Sequence, residues 1–157
     1  MTLQQTAAMI RPATSADAAA LARMAILMFE SMGHDISDPT ADWMRGMSDW
    51  YDRKLRTDSF AAFVAQQENT VAGGCSVWLL DGLPRTGNPS GLRAYVGGMY
   101  VYPSARGQGV ARQLLAAVLD WSRTKGIGIA ELHATSMGAP LYESVGFQPA
   151  TNYRLPL

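Results

Sequence analysis

Tyr100-Val101-Tyr102-Pro103-Ser104-Ala105-Arg106-Gly107-Gln108-Gly109-Val110-Ala111 is the stretch on which the fold turns. The residues from Ala94 to Tyr102 read as a strand, and Pro103 stops it. A turn with two glycines follows. From about Gln108 to Lys125, Val110, Leu114, Ala117, Val118 and Trp121 mark one apolar face of a helix that Gly126 closes. A helix start exposes free N–H groups and the positive end of the helix dipole, which suits phosphate oxygens. Glycine lets the backbone approach such a ligand closely, and Arg106 adds a cation. Two named phosphate motifs do not fit. A dinucleotide fingerprint wants a small residue where Arg112 stands, and the Gly-Lys-Ser/Thr of a P-loop is absent. An ordinary strand-to-helix turn, using glycine only for sharpness, is the other reading of the same residues.

Working outward, the Gly97-Gly98 pair inside the strand predicts a bulge or a close backbone approach. Downstream, Ile129 to Thr135 reads as a strand, Ala139 to Val145 as a short helix with Pro140 in its first turn, and Thr151 to Leu155 as a last strand. Upstream, Ala7 to Pro12 is a short first strand. Thr14, Ser15 and Asp17 supply helix-start chemistry, and Leu21, Met24, Ala25 and Met28 share one face of the helix that Gly33 ends. Asp38-Pro39-Thr40 opens a second helix carrying Trp43, Met47, Trp50, Tyr51 and Leu55. Phe60 to Gln66 and Val71 to Leu80 form a hairpin around Glu68-Asn69, and Asp81 to Arg93 is a long loop rich in glycine and proline. The order is strand, two helices, three strands, helix, strand, helix, strand. It predicts an α/β or α+β mixed sheet with helices on its faces, with a parallel crossover from Ala94 to Thr135.

A length of 157 residues suits a single domain, 1–157, with residues 1–7 as a flexible tail. Hydrophobic residues at 48% and charged ones at 17% support a packed core. Zero net charge, from 13 basic and 13 acidic residues, argues against a nucleic-acid partner. One cysteine, Cys75, excludes an internal disulfide framework and fits a reducing compartment. With no basic segment at the N-terminus and no apolar run near the ~20 residues of a membrane span, the expected location is cytoplasmic and off the membrane. The two histidines, His34 and His133, show no ligand spacing, so no metal is expected.

Three segments together resemble the GCN5-related N-acetyltransferase (GNAT) family. They are Ile10-Arg11-Pro12-Ala13-Thr14 with Asp17, then Arg106-x-x-Gly109-x-Ala111 behind Val101-x-Pro103, and then Leu141-Tyr142-Glu143-Ser144-Val145-Gly146-Phe147. They occur in the family's order, and the likeness covers nearly the whole chain. The resemblance implies a central sheet split like a V between the Ala94–Tyr102 and Ile129–Thr135 strands, with about four helices around it. It implies acetyl-CoA as co-substrate, its pantetheine arm bonded to the main chain near Met99 and Val101 like an added strand. Its pyrophosphate would rest near Arg106 on Gly107, Gln108, Gly109, Val110 and Ala111. No metal is needed. The implied reaction is direct attack of a neutral primary amine on the thioester in a ternary complex, with the Met99 N–H at the developing oxyanion and Tyr142 as general acid. Thr135 stands where the family often has asparagine, so the coenzyme contact there departs from the pattern.

No carboxylate occurs in the Ala94–Tyr102 strand, where some members place a base. Glu30, His34, Asp35 and His133 are substitutes, although both histidines read better as structural or surface groups. The stripe of Trp43, Met47, Trp50 and Tyr51, with Met24, Met28 and Phe29, reads first as core. Under the resemblance these helices roof the acceptor site, and a methionine-rich apolar roof favours a small or apolar amine over a polycation. Exposed tryptophans on the second helix would favour a homodimer. The acceptor itself is not legible. A non-catalytic acyl-CoA sensor on the same fold is the alternative to an enzyme.

Overall fold

In the computed structural model, which describes residues 6–157, five strands and four helices follow the chain as β1 (Met9–Pro12), α1 (Ala18–Ser31), α2 (Met47–Leu55), β2 (Phe60–Gln67), β3 (Thr70–Leu80), β4 (Arg93–Val101), α3 (Val110–Thr124), β5 (Ala130–Glu131) and α4 (Ala139–Val145). Of the expected N-terminal tail, residues 1–5 lie outside the described residues. Thr6 is tied down, its hydroxyl donating to Glu68 at 3.3 Å.

The first helix begins where Asp17 makes it begin. Its carboxylate accepts the Thr14 N–H at 2.8 Å and two hydrogen bonds from Arg11, each at 2.9 Å. Asp17 is buried, and the Arg11 hydrogen bond holds its carboxyl below the usual carboxylate range. Arg11 also bonds Gln66, so one charged pair fastens β1 and β2 to the start of α1.

The sheet runs β1-β2-β3-β4-β5 in simple order. Its first four strands are antiparallel, and β4 meets β5 in parallel. Helix α3 packs on one face over Cys75, Val77, Val96 and Val101 through Leu114, Leu115 and Val118. Helices α1 and α2 cover the other through Leu21, Met24 and Tyr51, against Phe60, Ala62 and Val64. This is the mixed α/β sheet the sequence predicts. No helix among the described residues is long and apolar enough to cross a membrane.

Two irregularities shape the site. In β4, Gly74 faces Tyr100 and Ser76 faces Gly97, so Cys75 opposes both Gly98 and Met99. That is the bulge expected from the glycine pair, and Gly98 holds a φ of +64°, a conformation costly for any residue with a Cβ. The second is the parting of β4 from β5. They pair only at Ala94–Ala130 and Tyr95–Glu131, with Arg93 and Glu131 3.2 Å apart beside them. Beyond Tyr95 the two chains separate and the sheet opens as a V.

Several boundaries differ from expectation. Residues 132–135 carry no ladder, so the strand expected over Ile129–Thr135 is only two residues long. The last strand, Thr151–Leu155, does not form. With β5 so short there is no edge for it, and the segment runs exposed alongside, touching His133 through Asn152. The second helix starts at Met47, not at Thr40. Asp38 caps a local turn by accepting both the N–H and the hydroxyl of Thr40, and Gly46 at φ +80° interrupts the chain before the helix.

Candidate active site

The opening of the V exposes one edge of β4. The Tyr102 N–H bonds the Ala72 carbonyl at 2.9 Å, on the β3 side. Polar groups alternate sides along a strand, so Tyr100 also turns its groups to β3, while Met99 and Val101 turn theirs toward the opening. Arg106 folds back onto this edge. Its Nε donates to the Val101 carbonyl at 2.8 Å, and its guanidinium lies 5.6 Å from the Tyr100 ring centre. That leaves the Val101 N–H and both polar groups of Met99 directed at the cleft.

At the mouth of the cleft stands the N-terminus of α3. Gly107 and Gly109 hold φ values of +75° and +78°, and a Cβ built on either would meet nothing within 4 Å. Both glycines face open space above the free N–H groups of the first turn, a concave arrangement suited to an anion. Gln108 spans this turn, donating to the Ser104 carbonyl and accepting from Gln67, each at 3.3 Å. Val110 is buried under the turn and Ala111 is half-buried behind it. Arg112, outside the sequence-derived site set, donates to the Ser144 hydroxyl at 2.7 Å and ties the first turn of α3 to α4. Its spacing from the motif offers no signal, because its partner is 32 residues away.

Across the opening, Tyr142 on α4 packs with Leu141, Met99 and Phe147 against the α3-side core. Its ring meets Phe147 edge-on, with centres 5.9 Å apart. Burial, with the neighbouring Cys75 sulfur adding to it, pushes the Tyr142 hydroxyl up to about 12, so the group holds its proton throughout the neutral range. Thr135 begins the turn that leads into α4. Its hydroxyl and carbonyl accept the Gly138 N–H at 3.2 and 3.1 Å, and its carbonyl also takes the Ala139 N–H at 2.9 Å. Cys75 is fully buried beneath the bulge, and burial pushes its thiol up to about 12. A thiol so held is inert as a nucleophile at neutral pH.

On the α1–α2 side, a cavity of about 530 Å³ lies over the same bulge, lined in part by Met28, Phe29, Trp43, Trp50, Trp78 and Gly98. The aromatic stripe expected first as core is therefore divided. Met24 is core, whereas Phe29, Trp43, Met47, Trp50 and Tyr51 face the cavity. Trp78, which carries no motif, joins them because β3 brings it under α2, with its ring centre 6.3 Å from that of Trp50. Gly98 belongs at once to the β4 bulge and to the cavity wall, so cleft and cavity meet there.

The candidate bases differ in their surroundings. His133 has both ring nitrogens engaged, one with the Tyr95 hydroxyl and the other with Asn152 at 2.9 Å. Asp35 caps the Ser37 N–H at 2.8 Å on the surface, and Glu30 is exposed. His34 packs beside the cavity, edge-on against Phe29 with ring centres 5.3 Å apart and 5.9 Å from the ring centre of Trp43. Among the described residues no group of three or more His, Cys, Asp or Glu gathers as a metal-ligand set.

The model of the acetyltransferase (GNAT) family matches residues 26–147, most of the chain. The chain belongs to that family. Solved acetyltransferase structures agree over nearly its whole length. A GCN5-related N-acetyltransferase from Ralstonia eutropha JMP134 is 28% identical with a TM-score of 0.87, over 96% of this chain and 98% of that one. A predicted acetyltransferase from Clostridium acetobutylicum with acetyl-CoA is 24% identical with a TM-score of 0.84, over 96% and 95%. An aminoglycoside N-acetyltransferase in complex with CoA shares 18% identity with a TM-score of 0.76, over 100% and 98%. The last two likenesses are of fold alone. No protein of curated function matches the sequence. The GNAT assignment agrees with the V-shaped opening, the bulge beside it and the helix start at its mouth.

Proposed function

We propose that this GNAT protein is an acetyl-CoA-dependent N-acetyltransferase, a single domain that transfers acetyl to a primary amine of a small molecule by direct attack in a ternary complex. The observation that carries this reading is the junction at Gly98, which borders the cleft on one side and an open-mouthed cavity with aromatic walls on the other. A donor in the cleft and an acceptor in the cavity would then meet without a covalent enzyme intermediate.

The residues present fit the coenzyme. Two glycines of left-handed φ stand in open space at the start of α3 and leave its N–H groups accessible to a pyrophosphate, and Arg106 and Arg112 supply positive charge beside it. Acetyl-CoA supplies the activated thioester when bound. Gly107, Gln108, Gly109, Val110 and Ala111 hold its pyrophosphate, and the Met99 and Val101 main chain receives the pantetheine arm. The Met99 N–H stabilises charge on the carbonyl oxygen. Thr135 acts by building the turn that seats α4, and thereby Tyr142.

Tyr142 offers its O–H to the leaving sulfur. Its pKa of about 12 exceeds the roughly 8.5 of a free thiol, so it steadies the departing thiolate by a hydrogen bond and full proton transfer is the less favoured limit. The acceptor is neutral when it attacks, which removes the need for a strong base on β4. The location proposed is the cytoplasm. A homodimer remains part of the proposal, with Trp43, at 38% exposure, as the tryptophan open to a partner and Trp50 turned to the cavity.

The test is release of free thiol from acetyl-CoA over a panel of amines. The reading expects amine-dependent release, and a Tyr142→Phe variant that keeps coenzyme affinity while turnover falls about 10²-fold. Coenzyme binding without turnover across the panel would instead favour an acyl-CoA sensor.

A further inference from the structure

The cavity beside Gly98 has walls and a floor of different chemistry. Its walls are aromatic. Trp50 and Trp78 meet edge to face at 6.3 Å, Phe29 and Trp43 at 5.6 Å, and Met28 fills between them. Its floor is polar. A Cβ at Gly98 would lie 2.9 Å from the Tyr51 hydroxyl and 3.5 Å from the Ser76 hydroxyl, so the Tyr51 oxygen packs closely on the bulge where Gly98 borders the cavity. Tyr51 lines the cavity at 4% exposure, and Ser76 lies fully buried behind it, with the two hydroxyls interacting. The Tyr51 hydroxyl is thus a polar group on the cavity wall that can accept a hydrogen bond from a ligand N–H.

The charge at the cavity is equally selective. Arg45, Asp49 and Arg53 line it, two cations against one carboxylate. Arg45 is partly neutralised by Asp42, 2.6 Å away. A polycation entering here would bring several ammonium groups to a site with one acid among apolar walls. A single amine faces no such penalty. Burial and nearby arginines lower its pKa, which raises the fraction in the neutral form that attacks a thioester. Aromatic faces also tolerate the amine while it is still protonated on entry.

We infer that the acceptor is a compact monoamine with an aromatic or otherwise apolar body, its ring among Trp43, Trp50, Trp78 and Phe29 and its nitrogen at the Tyr51 hydroxyl. This rests on the N-acetyltransferase reading. The amine nitrogen forms a C–N bond to the acetyl carbon and the C–S bond breaks, the pair going to sulfur. One amine proton is lost and one proton is gained by the sulfur, giving the N-substituted acetamide and free thiol. Tyr51 thus becomes an acceptor-binding residue, and Gly98 is small because a Cβ there would clash with the Tyr51 hydroxyl 2.9 Å away.

The test uses the intact chain with 2-phenylethylamine, spermidine and kanamycin as probes. Of the four tryptophans, Trp43, Trp50 and Trp78 line the cavity while Trp121 lies on α3, so intrinsic emission reports binding without any turnover. The expected result is a saturable emission change with 2-phenylethylamine and a kcat/KM for it at least about tenfold above either polycation. Tyr51→Phe, which keeps the ring, should lower kcat/KM for 2-phenylethylamine about tenfold and leave the KM for acetyl-CoA unchanged. A preference for spermidine or kanamycin would overturn the acceptor class and leave acetyl transfer standing. Saturable binding of 2-phenylethylamine without thiol release from any amine would support the cavity's preference and break the transferase reading. An absence of both emission change and turnover with 2-phenylethylamine would overturn the inference.

Discussion

The two halves of the site are built from different materials. The proposed coenzyme cleft is main chain: the edge of β4 at Met99 and Val101, and the first turn of α3 behind Gly107 and Gly109. The proposed acceptor cavity is side chain: Phe29, Trp43, Trp50, Tyr51 and Trp78, drawn from two helices, a turn and a strand. Backbone recognition tolerates sequence change, provided glycine stays where φ demands it. Side-chain recognition changes with each substitution. One half is thus suited to a donor common to a family, and the other to an acceptor particular to one protein.

The sharpest way to break the comparison is at the boundary between its halves. Gly98→Val should lose the most, because a β-branched residue at φ +64° is strained and its Cβ would lie 2.9 Å from the Tyr51 hydroxyl. Turnover should fall by about two orders of magnitude or more, with a lower Tm from roughly 1–3 kcal/mol of strain. Steady-state kinetics beside thermal melting checks it. Wild-type turnover combined with a normal Tm would remove Gly98 from the account.

Next in size is a change confined to the cleft. Gly109→Val at φ +78° should raise the KM for acetyl-CoA about tenfold, in line with ~1–2 kcal/mol for a left-handed residue with a Cβ. The KM for the amine should stay within about twofold. Its counterpart in the cavity is Trp43→Ala, in a surface turn at 38% exposure, which should raise the amine KM several-fold and leave that for acetyl-CoA unmoved. If either variant moved both constants together, the division of the site into halves would fail.

The smallest effect on kinetics should come from Asp17, remote from both halves. Asp17→Asn breaks the paired hydrogen bonds to Arg11 and should cost about 1–3 kcal/mol of stability, with both KM values unchanged. The carboxyl's pKa is depressed in the fold, so its stabilisation is complete above the unfolded value of roughly 3.9 and drains as pH falls through the lower folded value. The Tm difference between wild type and variant should therefore be constant near neutrality and shrink only in strong acid.

What was legible in the sequence follows the same division. Arg106, Gly107 and Gly109 announce a strand-to-helix turn because backbone geometry has few solutions and glycine marks them. The Gly97-Gly98 pair announced the bulge for the same reason. Ser76 and Trp78 were invisible. Their roles depend on β3 passing beneath α2, a contact between segments far apart in sequence that no local pattern encodes. The stripe around Trp50 was visible but ambiguous, since helical spacing marks a buried face without saying whether core or cavity lies against it. The last strand at Thr151–Leu155 illustrates the opposite failure: a segment with strand-like residues remains unladdered because β5 offers it only two residues of edge.

Tyr142 gives the pH dependence its sign. With the hydroxyl raised to about 12, the O–H form is present below that value and lost above it, so activity should not decline between pH 7 and 10 through this residue. Any rise over that range follows deprotonation of the amine.

The central claim is that cleft and cavity are filled together and meet at Gly98. Initial rates of thiol release, with acetyl-CoA and 2-phenylethylamine varied against each other, test it directly. Intersecting double-reciprocal lines are the result expected for attack within a ternary complex. Parallel lines, or thiol released at the same rate without amine, would place an acetyl-enzyme or simple hydrolysis on the path and contradict the account.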